Sequence, residues 1–138
     1  MRVLILCTGN SCRSQMAEGF LKRYAPGAEV FSAGTVPART VHPLALQVMK
    51  EKGIDLAGNK PKNVDRYLSD EFDYVVTVCD DANETCPVFV GAVRHRLHIG
   101  FEDPAKIQGD DTTVLNAFRR IRDEIDAAFK DFAPRIAS

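Results

Sequence analysis

Residues 3–14 read Val3-Leu4-Ile5-Leu6-Cys7-Thr8-Gly9-Asn10-Ser11-Cys12-Arg13-Ser14. The first four form a continuous apolar run of strand length, which suits a strand buried on both faces. Cys7 to Arg13 is small and polar and reads as a loop. From Ser14 to Tyr24 the apolar residues Met16, Phe20 and Tyr24 recur at i, i+4 and i+8, the spacing of one helix face. The stretch is therefore strand, polar loop, helix, with the loop at the strand's C-terminal end.

The same alternation continues along the chain. Glu29 to Ser32 reads as a short strand and Pro43 to Lys52 as a helix with Gly53 behind it. Asp65 to Ser69 reads as a short helix. Tyr74 to Val78 is a second continuous buried strand, which delivers Cys79 at its end. Val93 to Ile99 mixes polar and apolar residues, as a strand nearer the sheet edge does, and 100–111 reads as loop. Thr112 to Phe132 is the longest helix, with a stripe of Leu115, Phe118, Ile121, Ile125, Ala128 and Phe132, and with Arg119, Arg120, Arg122 and Asp123 expected to face water. Strands alternating with helices imply a parallel sheet with right-handed crossovers. In such sheets ligands bind beyond the C-terminal strand ends, where Cys7 and Cys79 both fall.

Composition narrows the function. The 138 residues fit one domain, and 45% hydrophobic residues suffice for a core. Charge is nearly balanced, 18 basic against 19 acidic residues, so nucleic acid and anionic membranes are not expected partners. No apolar run approaches the roughly 18 residues of a membrane span, and no cleavable leader is evident. A cytoplasmic monomer is expected. Four cysteines in a reducing compartment point to reactive thiols rather than structural staples.

The loop suggests what those thiols do. Cys7 is followed after five residues by Arg13 and then Ser14. Gly9 tolerates unusual dihedrals, and successive amides in such a loop form an anion-binding nest backed by the positive end of the helix. Arg13 adds a planar, bidentate donor for a tetrahedral oxyanion. The same field favours a thiolate at Cys7, to which Ser14 can donate a hydrogen bond. A thiolate below a bound oxyanion attacks its central atom, while the amides and Arg13 stabilise the equatorial oxygens.

This loop resembles the phosphate loop of the low-molecular-weight protein tyrosine phosphatases. The longer stretch Cys7 to Glu18 resembles the thioredoxin-coupled arsenate reductases built on that fold, as do Phe31-Ser32-Ala33-Gly34, Val75-Val76-Thr77-Val78-Cys79, Asn83-Glu84-Thr85-Cys86-Pro87, Gly100-Phe101-Glu102-Asp103-Pro104 and Arg120 to Ile125. The expected fold is one α/β domain over 1–138, a four-stranded parallel sheet ordered 2-1-3-4 with helices on both faces. The resemblance implies that Cys7 is the nucleophile on arsenate, held by Thr8, Gly9, Asn10, Ser11, Cys12, Arg13 and Ser14, with phosphate or sulfate as competing oxyanions. Asp103 is implied as the general acid for the leaving oxygen.

Cys79 and Cys86 distinguish a reductase from a phosphatase. Reducing arsenate to arsenite takes two electrons, which two thiols supply by becoming a disulfide. The resemblance implies that Cys79 resolves the Cys7 adduct, that Cys86 then attacks Cys79, and that thioredoxin reduces the resulting Cys79–Cys86 bond. A helix over 79–86 would hold the two Cα atoms roughly 10 Å apart, beyond the roughly 7 Å a disulfide allows, so the segment is expected to be loop. Its polar residues, Glu84 among them, read as poor anchors, and the oxidised pair is expected to be mobile and exposed. Cys12 reads as a loop thiol prone to over-oxidation. No tightly bound cofactor is expected. The spacing of Cys79, Cys86, His95 and His98 does not match a zinc site. Some of these reductases bind potassium through a loop Asn, a helix Glu and a Thr-x-Asp. Asn10 and Glu18 fit, but Lys60-Pro61-Lys62 stands where Thr-x-Asp is expected, so an ammonium can replace the cation and potassium is not expected to be required. His42, His95 and His98 read as surface residues. Two alternatives stay open: a phosphatase using Cys7, Arg13 and Asp103 alone, and a non-enzymatic thiol switch.

Overall fold

The computed structural model describes residues 1–136; the last two residues of the single-domain reading, 137 and 138, lie outside the described residues. Its strands are β1 (Arg2–Cys7), β2 (Glu29–Gly34), β3 (Glu71–Thr77) and β4 (Ala92–His98), and its α-helices are α1 (Arg13–Tyr24), α2 (Pro43–Lys50) and α3 (Asp111–Phe132). All neighbouring strands are parallel, in the order β2-β1-β3-β4. This is the expected sheet, and β1, the most apolar strand, lies inside it.

Alternation along β1 separates two cores. Val3, Ile5 and Cys7 pack with Met16 and Phe20 of α1, Val48 of α2, and Phe118 and Ile121 of α3. Leu4 and Leu6 face the other way, against Val64, Tyr67, Phe72, Val75 and Phe89. Both faces of the sheet are covered, but unequally. The three α-helices serve the first face. On the second, the helical cover is a single 3-10 turn, Val64–Tyr67, backed by Phe89 from the chain between β3 and β4. That crossover contains no α-helix, and its irregular course carries Cys79, Glu84 and Cys86 past the strand ends.

Two readings of α3 change. Phe129 is fully buried, whereas Ala128 and Leu115 are only partly so. Arg122, expected to face water, is 6% exposed. Its long stem lets the guanidinium reach out of the stripe, where Nη1 donates to the Val48 carbonyl at 3.0 Å and to Glu51 at 2.6 Å. Edge position agrees with expectation for β4, where only Val93 and Leu97 are half-buried and the other residues are exposed.

Candidate active site

The chain from 7 to 14 wraps around the Cys7 sulfur. The carbonyls of Thr8, Gly9 and Ser11 accept from the amides of Val36, Ala38 and His42, and so are turned outward. The close approach of the β2 end is possible because residue 34 is glycine: a Cβ there would lie 2.3 Å from the Thr8 oxygen. Asn10 takes a left-handed backbone, φ 51°. Its amide thereby turns inward and donates to Cys7 Sγ at 3.3 Å.

The fully buried Asn10 side chain is the loop's internal brace. Its Nδ2 donates to Ser14 Oγ at 2.8 Å and to Ser32 Oγ at 2.9 Å, and its Oδ1 accepts from the Lys62 amide and from Gln15 Nε2. Because Ser14 Oγ accepts from Asn10, its own proton is free for Cys7 Sγ, 2.9 Å away. The Cys7 sulfur thus has two aimed donors.

Above the sulfur lies a cavity of about 350 Å³ lined by residues 7–13, Glu84, Thr85, Asp103, Ala105 and Lys106. Ser14 supports it from behind. The N-cap of α1 is Cys12, which makes no side-chain capping bond, and the first turn holds no acidic residue. The helix start is therefore open to an anion. Arg13 is 4% exposed, and its Nε N–H has no partner among the described residues. Asp103 stands beside it, Oδ2 3.5 Å from Nη2, with Oδ1 held by the Ala105 amide at the start of the 3-10 turn Pro104–Lys106.

The structure adds a residue that the sequence reading passed over. Glu84 grips Arg13 with both oxygens, Oε2 accepting from Nη1 at 2.8 Å and Oε1 from Nη2 at 3.0 Å. Burial opposes the charge on each partner. The mutual hydrogen bonds prevail, holding Glu84 below and Arg13 above their ordinary ranges. Far from being a poor anchor, Glu84 fills the guanidinium fork with a carboxylate.

Cys79 and Cys86 form a disulfide with Cα atoms 5.8 Å apart, and the segment between them is not helical, as the distance argument requires. The expectation of an exposed pair holds only by half: Cys79 is fully buried beneath the crossover, and Cys86 is half-buried. Val78 donates to the Leu6 carbonyl, which keeps the approach to Cys79 beside the end of β1, next to Cys7. Cys12 also departs from expectation. Burial, then the charges of Asp103 and Cys7, push its thiol up to about 12. Its Sγ donates to Asp103 at 3.7 Å, and a protonated, buried thiol resists over-oxidation.

Of the two lysines that stand where the potassium pattern departs, Lys62 reaches toward Glu18. Its Nζ lies 3.9 Å from Glu18 and 3.4 Å from the Lys60 carbonyl, with burial drawing its ammonium below the ordinary range. The histidines differ among themselves. His42 is half-buried against Phe118 and caps α2 by accepting from the Leu44 amide, and burial lowers its basicity; His95 and His98 are exposed.

The family profile described as low molecular weight phosphotyrosine protein phosphatase matches residues 2–138. The chain belongs to that family. It is 46% identical over 132 residues to an arsenate reductase of Halalkalibacterium halodurans, covering 95% of this chain and 94% of that one. A solved arsenate reductase in its oxidised state superposes with a TM-score of 0.80 at 30% identity, covering 98% of each chain. A thioredoxin-dependent arsenate reductase of Corynebacterium glutamicum superposes at 0.69 with 31% identity, covering 98% of this chain and 61% of that one.

Proposed function

We propose that this chain reduces arsenate to arsenite through Cys7, Cys79 and Cys86, and that thioredoxin restores the thiols. One observation carries the reading: a disulfide between Cys79 and Cys86 stands beside a loop that aims donors at a third cysteine. Phosphate-ester hydrolysis needs no second cysteine pair; oxyanion reduction needs one.

The chemistry balances as follows. The Cys7 thiolate attacks arsenic, and Asp103 gives a proton to the departing oxygen, which leaves as water. Arg13 and residues 8–14 hold the remaining oxygens. Cys79 then attacks the Cys7 sulfur. The sulfur–arsenic bond breaks and leaves its electron pair on arsenic, which departs as arsenite, and a Cys7–Cys79 disulfide remains. Cys86 attacks Cys79, freeing Cys7 and forming the bond seen here. Because Cys79 is fully buried, an external dithiol must enter at Cys86, which opens into a cavity beside exposed Val88.

No aromatic side chain lines the cavity above Cys7 among the described residues, which favours a bare oxyanion over an aryl phosphate. Phosphate and sulfate, of similar shape, compete. The Lys62 ammonium supports a loop that requires no potassium. No helix among the described residues is long and apolar enough to cross a membrane. We place the protein in the cytoplasm, where dithiol reductants operate, as a single-domain monomer.

The test couples thioredoxin and thioredoxin reductase to NADPH oxidation. Arsenate-dependent turnover is expected in the wild type and lost in Cys7→Ser, Cys79→Ser and Cys86→Ser. The Cys86→Ser chain should still release about one arsenite per chain and keep its hydrolysis of p-nitrophenyl phosphate. Hydrolysis without any arsenate turnover would reduce the protein to a phosphatase.

A further inference from the structure

The fold assembles a second cluster on the far side of Cys79. The two sulfurs of Cys79 and Cys86 and a ring nitrogen of His98 all lie within 4.8 Å of one another. His98 ends β4, and the sequence separates it from Cys86 by the whole of that strand. The parallel pairing of Thr77 with His98 brings it to the end of β3, where Cys79 follows.

The imidazole is held in one orientation. Thr77 Oγ1 lies 2.8 Å from Nδ1 and 3.4 Å from the Leu97 carbonyl. A hydroxyl has one proton, and a carbonyl can only accept it. Thr77 thus bridges Nδ1 and the Leu97 carbonyl, and a ring that gives Nδ1–H to Thr77 has its Nε2 lone pair free. Nε2 is 3.6 Å from Asp81 Oδ1. Residue 100 is glycine, and a Cβ there would stand 2.7 Å from Nε2, so the space around this nitrogen is kept clear. A hydroxyl partner at Nδ1 leaves Nε2 as the nitrogen a cation would take, the arrangement of a metal-ligating histidine.

We propose that the reduced Cys79–Cys86 pair, with His98, is a binding site for a thiophilic divalent cation, zinc above all, and that disulfide formation closes it. Two sulfurs and one imidazole nitrogen make three protein ligands of the kind zinc takes, with the fourth position open to water. The 5.8 Å between the two Cα atoms brings both thiols to one ion once the sulfur–sulfur bond is gone. Loading follows a balanced course. A dithiol reductant supplies two electrons and two protons to the disulfide, and the cation then displaces the two thiol protons. A disulfide offers no thiolate, so oxidation and metal binding exclude each other. The open cavity of about 350 Å³ that includes Thr77, Asp81, Cys86 and His98 is the entry path. Zinc bound here would withhold both relay thiols from Cys7.

The site requires only that the pair be reducible, so it is testable apart from arsenate chemistry. Full-length chain is reduced, freed of reductant without air, and titrated with zinc against a chromophoric chelator. Cobalt(II), whose tetrahedral thiolate complexes absorb in the visible, is titrated in parallel. A Cys7→Ser, Cys12→Ser double variant removes the other thiols, and the wild type is run beside it. The expected result is one zinc per reduced chain with about two protons released, tetrahedral cobalt bands, and no uptake by the disulfide form. His98→Gln and Cys86→Ser should each weaken binding at least about tenfold. Unchanged affinity in His98→Gln, equal uptake by the oxidised chain, or no uptake by the reduced chain would overturn the site. Zinc uptake without arsenate turnover would leave the site standing and remove the proposed function instead.

Discussion

Arg13 and Glu84 are joined by two hydrogen bonds of 2.8 and 3.0 Å, across 71 positions of sequence and in the lining of the cavity above Cys7. Glu84 lies between the two cysteines of the disulfide, so the bond that ends the proposed relay also fixes the loop that brings its carboxylate to the oxyanion's donor. A tetrahedral anion and Glu84 cannot both use the Nη1–Nη2 fork.

Oxidised protein should therefore bind phosphate or arsenate weakly, and Glu84→Gln should relieve it. Removing a charged competitor from a guanidinium is worth about 1.5–3 kcal/mol, or roughly ten- to a hundredfold in Kd. Isothermal titration of the oxidised wild type and variant with phosphate checks this. Equal affinities would show that Glu84 does not compete.

Arg122 should be the costliest arginine of α3. Arg122→Ala removes a buried guanidinium and leaves the Val48 carbonyl and Glu51 short of a donor. A loss of about 2–3 kcal/mol is expected in urea unfolding. Arg119→Ala, on an exposed pair with the same Glu51, should cost clearly less.

Cys12 gives the stability a pH dependence of known sign. Its thiol is raised from 9.0 to about 12 in the folded chain, so the folded state holds this proton more tightly than the unfolded one. The contribution is full below pH 9 and is lost as pH rises toward 12. Between pH 9 and 10 the wild type should lose about 1 kcal/mol more than Cys12→Ser, measured by denaturation under reducing conditions. Turnover of Cys12→Ser near neutral pH should stay within a few-fold of wild type.

Lys62 should make the loop indifferent to potassium. Exchanging sodium for potassium at fixed ionic strength should leave Tm and turnover unchanged in the wild type. Lys62→Met, which leaves Glu18 and the Lys60 carbonyl without this ammonium, should lower Tm by several degrees and acquire a response to potassium.

Local features were legible because local physics sets them. A run such as Val3 to Leu6 has nowhere to go but the middle of a sheet, and α1 and α3 declare themselves by period. The loop from Cys7 to Ser14 was legible for the same reason, since its donors and nucleophile are contiguous. The strand order came from the family resemblance rather than from periodicity. Arg122 was misread because periodicity assigns a face to a Cα, whereas a long flexible side chain chooses where its charge goes.

By itself, then, the sequence determined the alternation of strands and helices and the thiol loop at a strand end and, once the family resemblance pairs Cys79 with Cys86, the need for an unwound segment between them. Those follow from residue spacing, which acts over a few positions. Tertiary structure alone decided that Glu84 closes on Arg13, that Lys62 reaches Glu18, that Cys12 is buried into a protonated thiol and that His98 faces the disulfide. Each of these depends on strand register and on the path of the β3–β4 crossover. Charge and burial act through distance in space, which residue spacing does not encode.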